Sequence, residues 1–278
     1  MDIFFKTFYK IFSVYPLPEA LLILGNYLRI IVRNRLPFVK QGEERILSYI
    51  VGFPHRPQFF GMLSEIFFHC LYRLPNREIY TIIDAGANIG LSTLYFKWRY
   101  PEASILCFEP NPEVIGFLKK NIARNNLMSV KIFPFALGKK NDEAELFTDP
   151  LIKGSSSATT VPPEKMGQEI HSHHVPMHRL SNFIDSPVDL LKLDVEGAEA
   201  DILEDLEETR KLSLISDMII EYHMYDRIKR HSMGDFLSIL ERNGFKYSCY
   251  PQFSEMNDSS SKGMYRYMVH AYRPYDSH

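Results

Sequence analysis

The sequence predicts an α/β fold with a mostly parallel sheet, and two observations carry that prediction. From Tyr80 onward, short apolar runs alternate with segments of helical periodicity, which is typical of a sheet built from βαβ units. The first apolar run ends at Asp84 in a glycine-rich turn that leads directly into a helical pattern. We therefore expect a sheet covered by helices on both faces.

The periodicity assigns each strand and helix of this sheet to a segment. Asn111, Pro112 and Glu113 supply an N-cap, a proline at the first helical position and an acid in the first turn. Pro134 would interrupt the hydrogen bonds of a central strand, so the strand that contains it should lie at a sheet edge. The predicted strands are 80–85, 104–109, 129–136, 189–194, 214–221, 246–250 and 264–271, and the predicted helices are 89–100, 112–125, 198–206 and 233–243.

Composition narrows the class of protein. A chain of 278 residues with 45% hydrophobic residues can bury the core of a large α/β domain. Its 32 basic and 34 acidic residues give a formal net charge of −2, so no global basic field favours nucleic acid, and we expect no nucleic-acid partner. Cys70, Cys107 and Cys249 lack the spacing of a metal site or a disulfide framework, which favours a reducing, cytoplasmic location. Oligomeric state is left open.

The first forty residues carry the one charge asymmetry, six basic residues against two acidic ones. Segment 20–32 is too short and too polar to span a bilayer. As a helix it would have a wide apolar face, and two alternatives stay open for that face: peripheral contact with an anionic membrane through residues 1–40, or docking on the rest of the chain. We divide the chain into an N-terminal basic amphipathic helical extension, 1–59, and a main domain, 60–278. Within them, 41–75 should be connecting structure followed by a helix at 60–72.

Periodicity is absent between Asp149 and Arg179, where Ser, Thr and Pro are frequent, so we expect a long mobile loop. Four histidines fall in this segment. A metal site among them is disfavoured, because no acid or cysteine lies between them and the segment has no predicted structure to fix their geometry. The histidines are His171, His173, His174 and His178.

The turn that follows Asp84 indicates a nucleoside cofactor without a pyrophosphate. Gly86 and Gly90 let the backbone turn sharply and approach a ligand, but the third glycine of G-x-G-x-x-G and the lysine of a P-loop are both absent. A carboxylate at Asp84 would repel a pyrophosphate and attract a cationic sulfonium and an α-amino group. S-adenosylmethionine carries both groups.

A second acid stands at the end of the next predicted strand. Glu109 can accept hydrogen bonds from both hydroxyls of a ribose, as acids do at this position in dinucleotide-binding folds. Asp84 alone could cap a helix, and Glu109 alone could be a surface carboxylate. Two acids at neighbouring strand ends around one glycine turn favour a cofactor site.

Four motifs together resemble the FkbM family of S-adenosylmethionine-dependent methyltransferases: IDAGANIGLST at 83–93, CFEPNP at 107–112, FALG at 135–138 and LKLDVEGAE at 191–199. The resemblance covers roughly 60–250 and implies a Rossmann-like class I methyltransferase fold, with a seven-stranded mixed sheet of order 3-2-1-4-5-7-6. It also implies that Asp84, Gly86, Asn88 and Gly90 line the methionine and ribose part of the cofactor and that Glu109 holds the ribose. Asn111, Ala136 and Leu137 would lie near the adenine.

The catalytic candidates stand at the ends of the fourth and fifth strands of the sheet. Methyl transfer needs an acceptor oxygen aimed at the methyl group and a base for its proton. Asp194 is the candidate base or substrate anchor, and His223 is the alternative base. Glu196 and Glu221 would orient acceptor hydroxyls, whereas Glu199 is expected to be an exposed first-turn acid. A divalent cation held by Asp194, Glu221 and His223 is chemically feasible, but the spacing does not establish it, and we assign no metal ligand.

These observations predict an S-adenosylmethionine-dependent methyltransferase, and the resemblance alone indicates that the acceptor is a hydroxyl of a sugar, glycolipid or related metabolite. Two alternatives remain. One is a nicotinamide-dependent oxidoreductase on a similar sheet, which the missing third glycine disfavours. The other is a non-catalytic, membrane-associated adaptor, which predicts loss of the cofactor acids that this sequence retains.

Overall fold

The computed structural model describes residues 2–34, 42–74, 77–149, 158–162, 170–225, 232–251 and 264–274. Most secondary structure follows the predicted segments to within a few residues. In chain order the elements are α1 (Asp2–Val14), α2 (Leu17–Asn34), β1 (Gly42–Ile46), β2 (Tyr49–Phe53), α3 (Arg56–Leu63) with a π-helical turn (Ser64–Phe68), β3 (Thr81–Ala85), α4 (Leu91–Arg99), β4 (Ser104–Phe108), α5 (Pro112–Arg124), β5 (Val130–Phe133), β6 (Ala136–Gly138), β7 (Asp142–Thr148), β8 (His171–Arg179), a 3₁₀ turn (Leu180–Phe183), β9 (Val188–Leu193), α6 (Glu199–Glu208), a 3₁₀ turn (Lys211–Leu214), β10 (Ile215–Tyr225), α7 (Met233–Arg242), β11 (Lys246–Pro251) and β12 (Met264–Tyr272).

A seven-stranded mixed sheet forms the centre of the described structure, which confirms the predicted fold class. Its strands are ordered β5-β4-β3-β9-β10-β12-β11, which is 3-2-1-4-5-7-6 when they are numbered along the chain within this sheet. The first five are parallel, and β12 runs antiparallel between β10 and β11. Strand β5 lies at the edge, as expected from Pro134, which follows the strand directly instead of lying inside it.

Alternating residues of the central strands feed two hydrophobic cores, one on each face of the sheet. Ile82 packs with α4, α5 and the N-terminal helices, whereas the next residue, Ile83, packs with α6 and α7. Successive side chains of a strand point to opposite faces, so continuous apolar runs are what a sheet covered on both sides requires. The carboxyl ends of the parallel strands are thereby fixed along one edge of the sheet.

The segment 41–75 is more structured than predicted. Strands β1 and β2 form an antiparallel hairpin, and the following helix begins at Arg56 and ends in the π-helical turn at Phe68, whereas we expected a helix at 60–72. The hairpin gave little sequence signal because its strands have five residues each and few inward positions. The boundary that we place between 59 and 60 falls inside α3, and this division into domains stays a prediction.

Asn121 of α5 and Asn125, which caps the C-terminal end of this helix, attach the hairpin to α5. Asn121 accepts a hydrogen bond from Gly52 N (2.8 Å) and donates to Gly52 O (3.0 Å), and it also donates to Ile89 O (2.8 Å). Asn125 accepts from Ile50 N (2.8 Å) and donates to Ile50 O (2.9 Å). Each side-chain amide therefore bonds β2 in the way that a neighbouring strand would.

The prediction of a mobile loop at 149–179 is wrong for residues 171–179, which form strand β8. Strand β8 pairs antiparallel with β7 and parallel with β6 in a separate three-stranded sheet, and it contains His171, His173, His174 and His178. Only Val175 of β8 is buried, so the strand lacked the apolar alternation that identifies a strand in sequence. Residues 150–157 and 163–169 lie outside the described structure.

The N-terminal helices dock on the domain and still expose apolar side chains. Helix α2 buries Ala20, Ile23, Tyr27 and Ile30 in the core that it shares with α4 and α5. Its opposite side is open, with Leu17, Leu21, Leu28 and Val32 between 42% and 68% exposed. Among the described residues, no helix is long and apolar enough to cross a membrane.

Candidate active site

The carboxyl ends of β3, β4, β9 and β10 meet at a pocket that opens to solvent, and the space between its walls is about 1040 Å³ when the adjoining open solvent is included. Such a crevice at strand ends is where open parallel sheets bind their ligands. Residues from the π-helical turn and its flanks, among them Glu65 and Tyr72, form one wall. The predicted site residues that line the pocket are Gly86, Asn88, Glu109, Ala136, Leu137, Asp194, Glu196 and Glu221.

The glycine turn after β3 requires glycine at position 86. Gly86 has φ +81°, and a Cβ atom there would lie 1.7 Å from the carbonyl oxygen of Asp194. The turn is also tied to the neighbouring strand, because Gly86 N (2.9 Å) and Ala87 N (3.0 Å) both donate to Phe108 O. Asn88 adopts a left-handed conformation with φ +49°. The backbone of β3 therefore passes directly against the end of β9, and the turn forms one wall of the pocket.

Asp84 lies beneath the pocket and is not among the residues that line it. Its carboxylate is fully buried, and Oδ2 accepts hydrogen bonds from Ser92 Oγ (2.7 Å) and Thr93 Oγ1 (2.6 Å) at the start of α4. These bonds fix the turn to the helix that follows it. Asp84 therefore supports the glycine turn from below. Its charge can act on a cationic ligand only through the residues that lie between its carboxylate and the pocket.

Lys192 is the residue of this site that sequence reasoning missed. Its ammonium nitrogen donates to Gly86 O (2.7 Å) and Ala85 O (3.1 Å), and it lies 3.6 Å from Asp84 Oδ1 and 3.3 Å from Asp194 Oδ2. Burial lowers its pKa, but the fields of Asp194 and Asp84 outweigh burial, and the pKa is raised. A signal was present: a lysine inside an apolar strand, two residues before Asp194, must share the face on which Asp194 lies.

Glu109 lines the pocket, and each of its carboxylate oxygens accepts a hydrogen bond from a backbone N–H group. Oε2 accepts from Asn88 N and Oε1 from Asn111 N, each at 2.8 Å. Burial raises the pKa of Glu109 to about 7, although these two backbone donors act in the opposite direction. A carboxylate oxygen can accept more than one hydrogen bond, so the fixed carboxylate keeps lone pairs for donors on a ligand.

The remaining cofactor candidates divide into two groups. Ala136 and Leu137 line the pocket together with Phe108 and Phe135, so apolar surface is available for a flat ring. Gly90 and Asn111 do not line it. Asn111 caps α5 by accepting from Glu113 N (2.9 Å), and Gly90, with φ +91°, begins α4 against Leu118. Both shape the turns that carry the pocket residues.

Asp194, Glu196 and Glu221 place three carboxylates at the ends of β9 and β10. The Asp194 side chain is 24% exposed, the Glu196 side chain 14% and the Glu221 side chain 8%. Burial raises the pKa of Glu196 to about 7 and that of Glu221 to about 8. Arg266 of β12 lies 3.1 Å from Glu221 Oε1 and offsets part of this negative charge.

Glu199 is buried at the first turn of α6, so the expectation of an exposed acid is wrong. Its Oε1 accepts from Val195 N (3.1 Å) and Gly197 N (3.1 Å) and lies 3.0 Å from Nδ1 of His223. The strand-to-helix turn folds back over the end of β9, and the helix therefore begins in the interior. Glu199 fixes the orientation of the His223 ring.

His223 lies behind the pocket surface with a fully buried side chain. Its Nε2 faces Glu196 Oε2 at 3.3 Å and Glu221 Oε1 at 3.7 Å. Burial lowers the pKa of His223, but the neighbouring Glu196 and Glu199 reverse this, and the pKa is raised well above its ordinary value. An imidazole with a strongly raised pKa is a weak candidate for the general base, because it already holds the second proton near neutral pH.

The sheet and the pocket are those of an α/β fold that binds a ligand where its strand order reverses. The pocket has a glycine turn on one side and an acid, Glu109, that can accept hydrogen bonds from ribose hydroxyls. Residues 84–247 match the family model described as the methyltransferase FkbM domain. The chain belongs to this methyltransferase family.

Curated relatives agree with the family. The chain is 33% identical over 204 residues to "Methyltransferase 1" of Beauveria bassiana, covering 66% of this chain and 79% of that protein. It is 34% identical over 209 residues to "Methyltransferase sdnD" of Sordaria araneosa, covering 63% and 78%. Among solved structures, it resembles a methyltransferase FkbM from Methylobacillus flagellatus with a TM-score of 0.47 at 12% identity, over 77% of this chain and 50% of that one.

Proposed function

We propose that the protein transfers a methyl group from S-adenosylmethionine to a hydroxyl of a sugar, glycolipid or related metabolite. The observation that carries the choice of cofactor is the pairing of two features at adjacent strand ends, the Gly86 turn and the pocket-lining Glu109. In the transfer, the acceptor oxygen forms a bond to the methyl carbon while the carbon–sulfur bond breaks. The sulfonium becomes a neutral thioether, and the hydroxyl proton passes to a base.

The pocket offers a partner for each part of this cofactor. Glu109 would accept both ribose hydroxyls, because its carboxylate is held in place by Asn88 N and Asn111 N. Ala136, Leu137 and Phe135 would pack against adenine. The carboxylate of Asp194 lies beside the turn and would favour the cationic sulfonium and amino group.

Asp194 is the group that we propose as base or anchor for the acceptor hydroxyl. It is the most exposed of the three carboxylates at the ends of β9 and β10, whereas His223 is enclosed by glutamates. Glu196 and Glu221 add acceptors for hydroxyl donors. Several carboxylates around one pocket suit a substrate with several hydroxyls, which supports the sugar class over an acceptor with a single hydroxyl.

Two measurements test this proposal. Calorimetry should show binding of S-adenosylmethionine and no binding of NAD, and Glu109→Gln should weaken the former. Mass spectrometry of glycans and small metabolites from cells with and without the protein should then reveal a species that gains one CH₂ unit. Binding of NAD instead would support the oxidoreductase alternative, and a protein that binds neither cofactor would support the adaptor.

The exposed side of the N-terminal helices supports a second proposal, peripheral contact with an anionic membrane. Leu17, Leu21, Leu28 and Val32 recur at helical spacing on the open face of α2. On α1, Phe8 is 41% exposed, Tyr9 is 75% exposed, and Lys10 is exposed beside them. Apolar side chains next to a basic residue are the composition of an interfacial helix.

Deletion of the helices would not test this contact, because their buried face belongs to the core. The double variant Leu21→Glu/Leu28→Glu changes only the open face and should reduce cosedimentation with vesicles that contain phosphatidylserine. Met128→Glu, at a residue that is 76% exposed elsewhere on the surface, is the matched control. Equal cosedimentation of all three proteins would rule out this contact.

A further inference from the structure

Three side chains at the edge of the pocket converge in a way that the methyl transfer itself does not require. Asp194, Glu196 and His223 each offer one ligand atom, and these atoms all lie within 4.8 Å of one another. Asp194 follows β9 directly, Glu196 stands in the turn after it with φ +57°, and His223 belongs to β10. Atoms from two strands and one turn can surround a single ion.

The histidine is oriented for such an ion. Its Nδ1 lies 3.0 Å from Glu199 Oε1, which also accepts hydrogen bonds from two backbone N–H groups, so the ring N–H at Nδ1 donates a third hydrogen bond to this oxygen. Nε2 is left facing Glu196 Oε2 at 3.3 Å, and it is buried without a hydrogen bond to any described residue. A histidine that binds metal through one nitrogen usually donates its other ring N–H to a carboxylate, and this contact fixes both tautomer and orientation.

The charges around the cluster point the same way. Four carboxylates converge there, from Asp194, Glu196, Glu199 and Glu221, and the described cations beside them are Lys192, Arg266 and, while it keeps its second proton, His223. Buried charges of one sign are costly unless they are paired or coordinate a metal. Arg266 binds Glu221 at 3.1 Å, so Glu221 has a permanent cation, whereas the ion-pair contact of Glu196 in the described part of the chain is with His223 Nε2 at 3.3 Å, and a metal ion could replace the proton on that nitrogen.

We propose that Asp194, Glu196 and His223 bind a divalent cation of the Mg²⁺ or Mn²⁺ type, with its open positions directed into the pocket. Two carboxylates and one imidazole form a ligand set of the kind that suits Mn²⁺ and that Mg²⁺ tolerates. Glu221, which the sequence suggested as a ligand, is replaced by Glu196, because the turn after β9 brings the latter closer to Nε2. Glu199 is a positioning residue that acts through His223.

The site deepens the proposed function, on which its chemical purpose rests. A cation there is bound in part by Asp194, which then acts as the anchor of the acceptor, and two neighbouring hydroxyls of a sugar could coordinate the cation together. Coordination to a divalent cation lowers the pKa of a hydroxyl and so makes its oxygen a better nucleophile. The cation would therefore select acceptors with adjacent hydroxyl groups.

Mn²⁺ binding to the full-length protein, freed of metal with EDTA, tests the site directly. Electron paramagnetic resonance follows the loss of the free Mn²⁺ signal, and Glu196→Gln should weaken binding at least tenfold. Glu145→Gln, at an exposed acid of β7, is the matched control and should bind as the unchanged protein does. Glu199→Gln should also weaken binding, by about 10- to 100-fold, as expected for a residue that orients a metal-binding histidine.

The outcomes separate this inference from the proposed function. Glu109→Gln should lower the affinity for S-adenosylmethionine and leave Mn²⁺ binding unchanged, and Glu196→Gln should do the reverse. If Mn²⁺ binds the unchanged protein and Glu196→Gln equally, or neither, the cation site is overturned, and the cluster is an ion-pair network around a protonated His223. Circular dichroism of each variant verifies that it is folded. Failure of cofactor binding with intact Mn²⁺ binding would count against the methyltransferase chemistry alone.

Discussion

The ammonium nitrogen of Lys192 lies 3.6 Å from Oδ1 of Asp84, and the two side chains are 2% and 0% exposed. Asp84 Oδ1 is buried without a hydrogen bond from any residue that the structure describes, so the ammonium group of Lys192 balances its charge. Lys192 also holds two carbonyl oxygens of the turn, at Ala85 and Gly86. One buried lysine thus connects Asp84, the glycine turn after β3 and, through Asp194, the ends of β9 and β10 at the pocket.

Replacing this lysine should therefore destabilise the whole protein. Lys192→Met leaves Asp84 as a buried charge without a cation, and loss of one partner of a buried ion pair costs about 3–5 kcal/mol. Chemical denaturation should report this loss in the free energy of unfolding. The double variant Asp84→Asn/Lys192→Met removes both charges, so it should lose less than the two single changes added together. Strict additivity would contradict a direct coupling.

Glu109→Gln should weaken binding of S-adenosylmethionine while leaving the protein folded. An amide presents only one oxygen, and its NH₂ group would face a backbone N–H of Asn88 or Asn111. Hydrogen bonds to a charged group contribute about 1.5–3 kcal/mol, so the affinity should fall by about 10- to 100-fold. Calorimetry measures it, with Glu145→Gln as control. An unchanged dissociation constant would remove Glu109 from the ribose site.

Cofactor binding should also depend on pH through Glu109. Its pKa is raised to about 7 by burial, so the folded protein holds this proton between the ordinary value and about 7. The contribution of Glu109 to the free energy of unfolding is therefore lost as pH rises through this window. Ribose hydroxyls donate to the ionised form, so binding should release a proton and strengthen as pH rises through about 7.

Calorimetry in buffers with different ionisation enthalpies counts that proton. The amino group of the cofactor titrates as well, and the difference between the unchanged protein and Glu109→Gln isolates the effect of Glu109. The same proton release in both proteins would show that another group is responsible.

Asp194→Asn should separate binding from chemistry. The amide keeps the shape of the side chain but cannot take a proton from the acceptor, so turnover should fall by about 10²- to 10⁴-fold. Cofactor affinity should fall less than turnover, because only the attraction between the Asp194 carboxylate and the cationic groups is lost, whereas Glu109 and the turn are intact. Single-turnover kinetics with saturating cofactor provides the measurement. Full turnover in this variant would exclude Asp194 as the base.

Gly86→Ala should disrupt the turn. Its Cβ would lie 1.7 Å from the Asp194 carbonyl oxygen, and φ +81° strains any residue with a side chain. Strain of this kind costs about 1–3 kcal/mol before the clash is counted, and thermal unfolding should reveal it. Gly116→Ala is the control, since a Cβ there meets no atom within 4 Å and favours helix α5. Equal melting temperatures for the two variants would contradict this account of the turn.

The sequence predicts the central sheet well, because its inner strands β3, β4, β9 and β10 are largely buried and read as apolar runs. The hairpin and the three-stranded sheet were missed for the opposite reason. In β8 only Val175 is buried, so the pairing with β7 rests on backbone hydrogen bonds. The side-chain pattern of the sequence does not indicate such bonds. The position of β5 at the sheet edge could be predicted from Pro134, because proline cannot donate the backbone hydrogen bond that a central strand needs.

The site was predictable where a residue type is unusual for its position. Glu109 and Asp194 stand at strand ends and line the pocket as expected. Glu199 was misjudged because acids in the first turn of a helix are common, and only the fold shows that this helix begins in the interior. The position of Asp84 below the pocket surface was likewise not predictable, because it depends on the hydrogen bonds that Ser92 and Thr93 donate to its carboxylate. Periodicity carries no information on either point.

The attachment of the hairpin to α5 has a consequence for association between copies of the chain. The outward N–H and C=O groups of Ile50 and Gly52 are bonded by Asn125 and Asn121. An edge strand with free backbone groups is a template for intermolecular pairing and aggregation. Here the side-chain amides of Asn121 and Asn125 bond these backbone groups. The groups are therefore not free to pair with a further strand, although in the described structure no other strand lies against this edge.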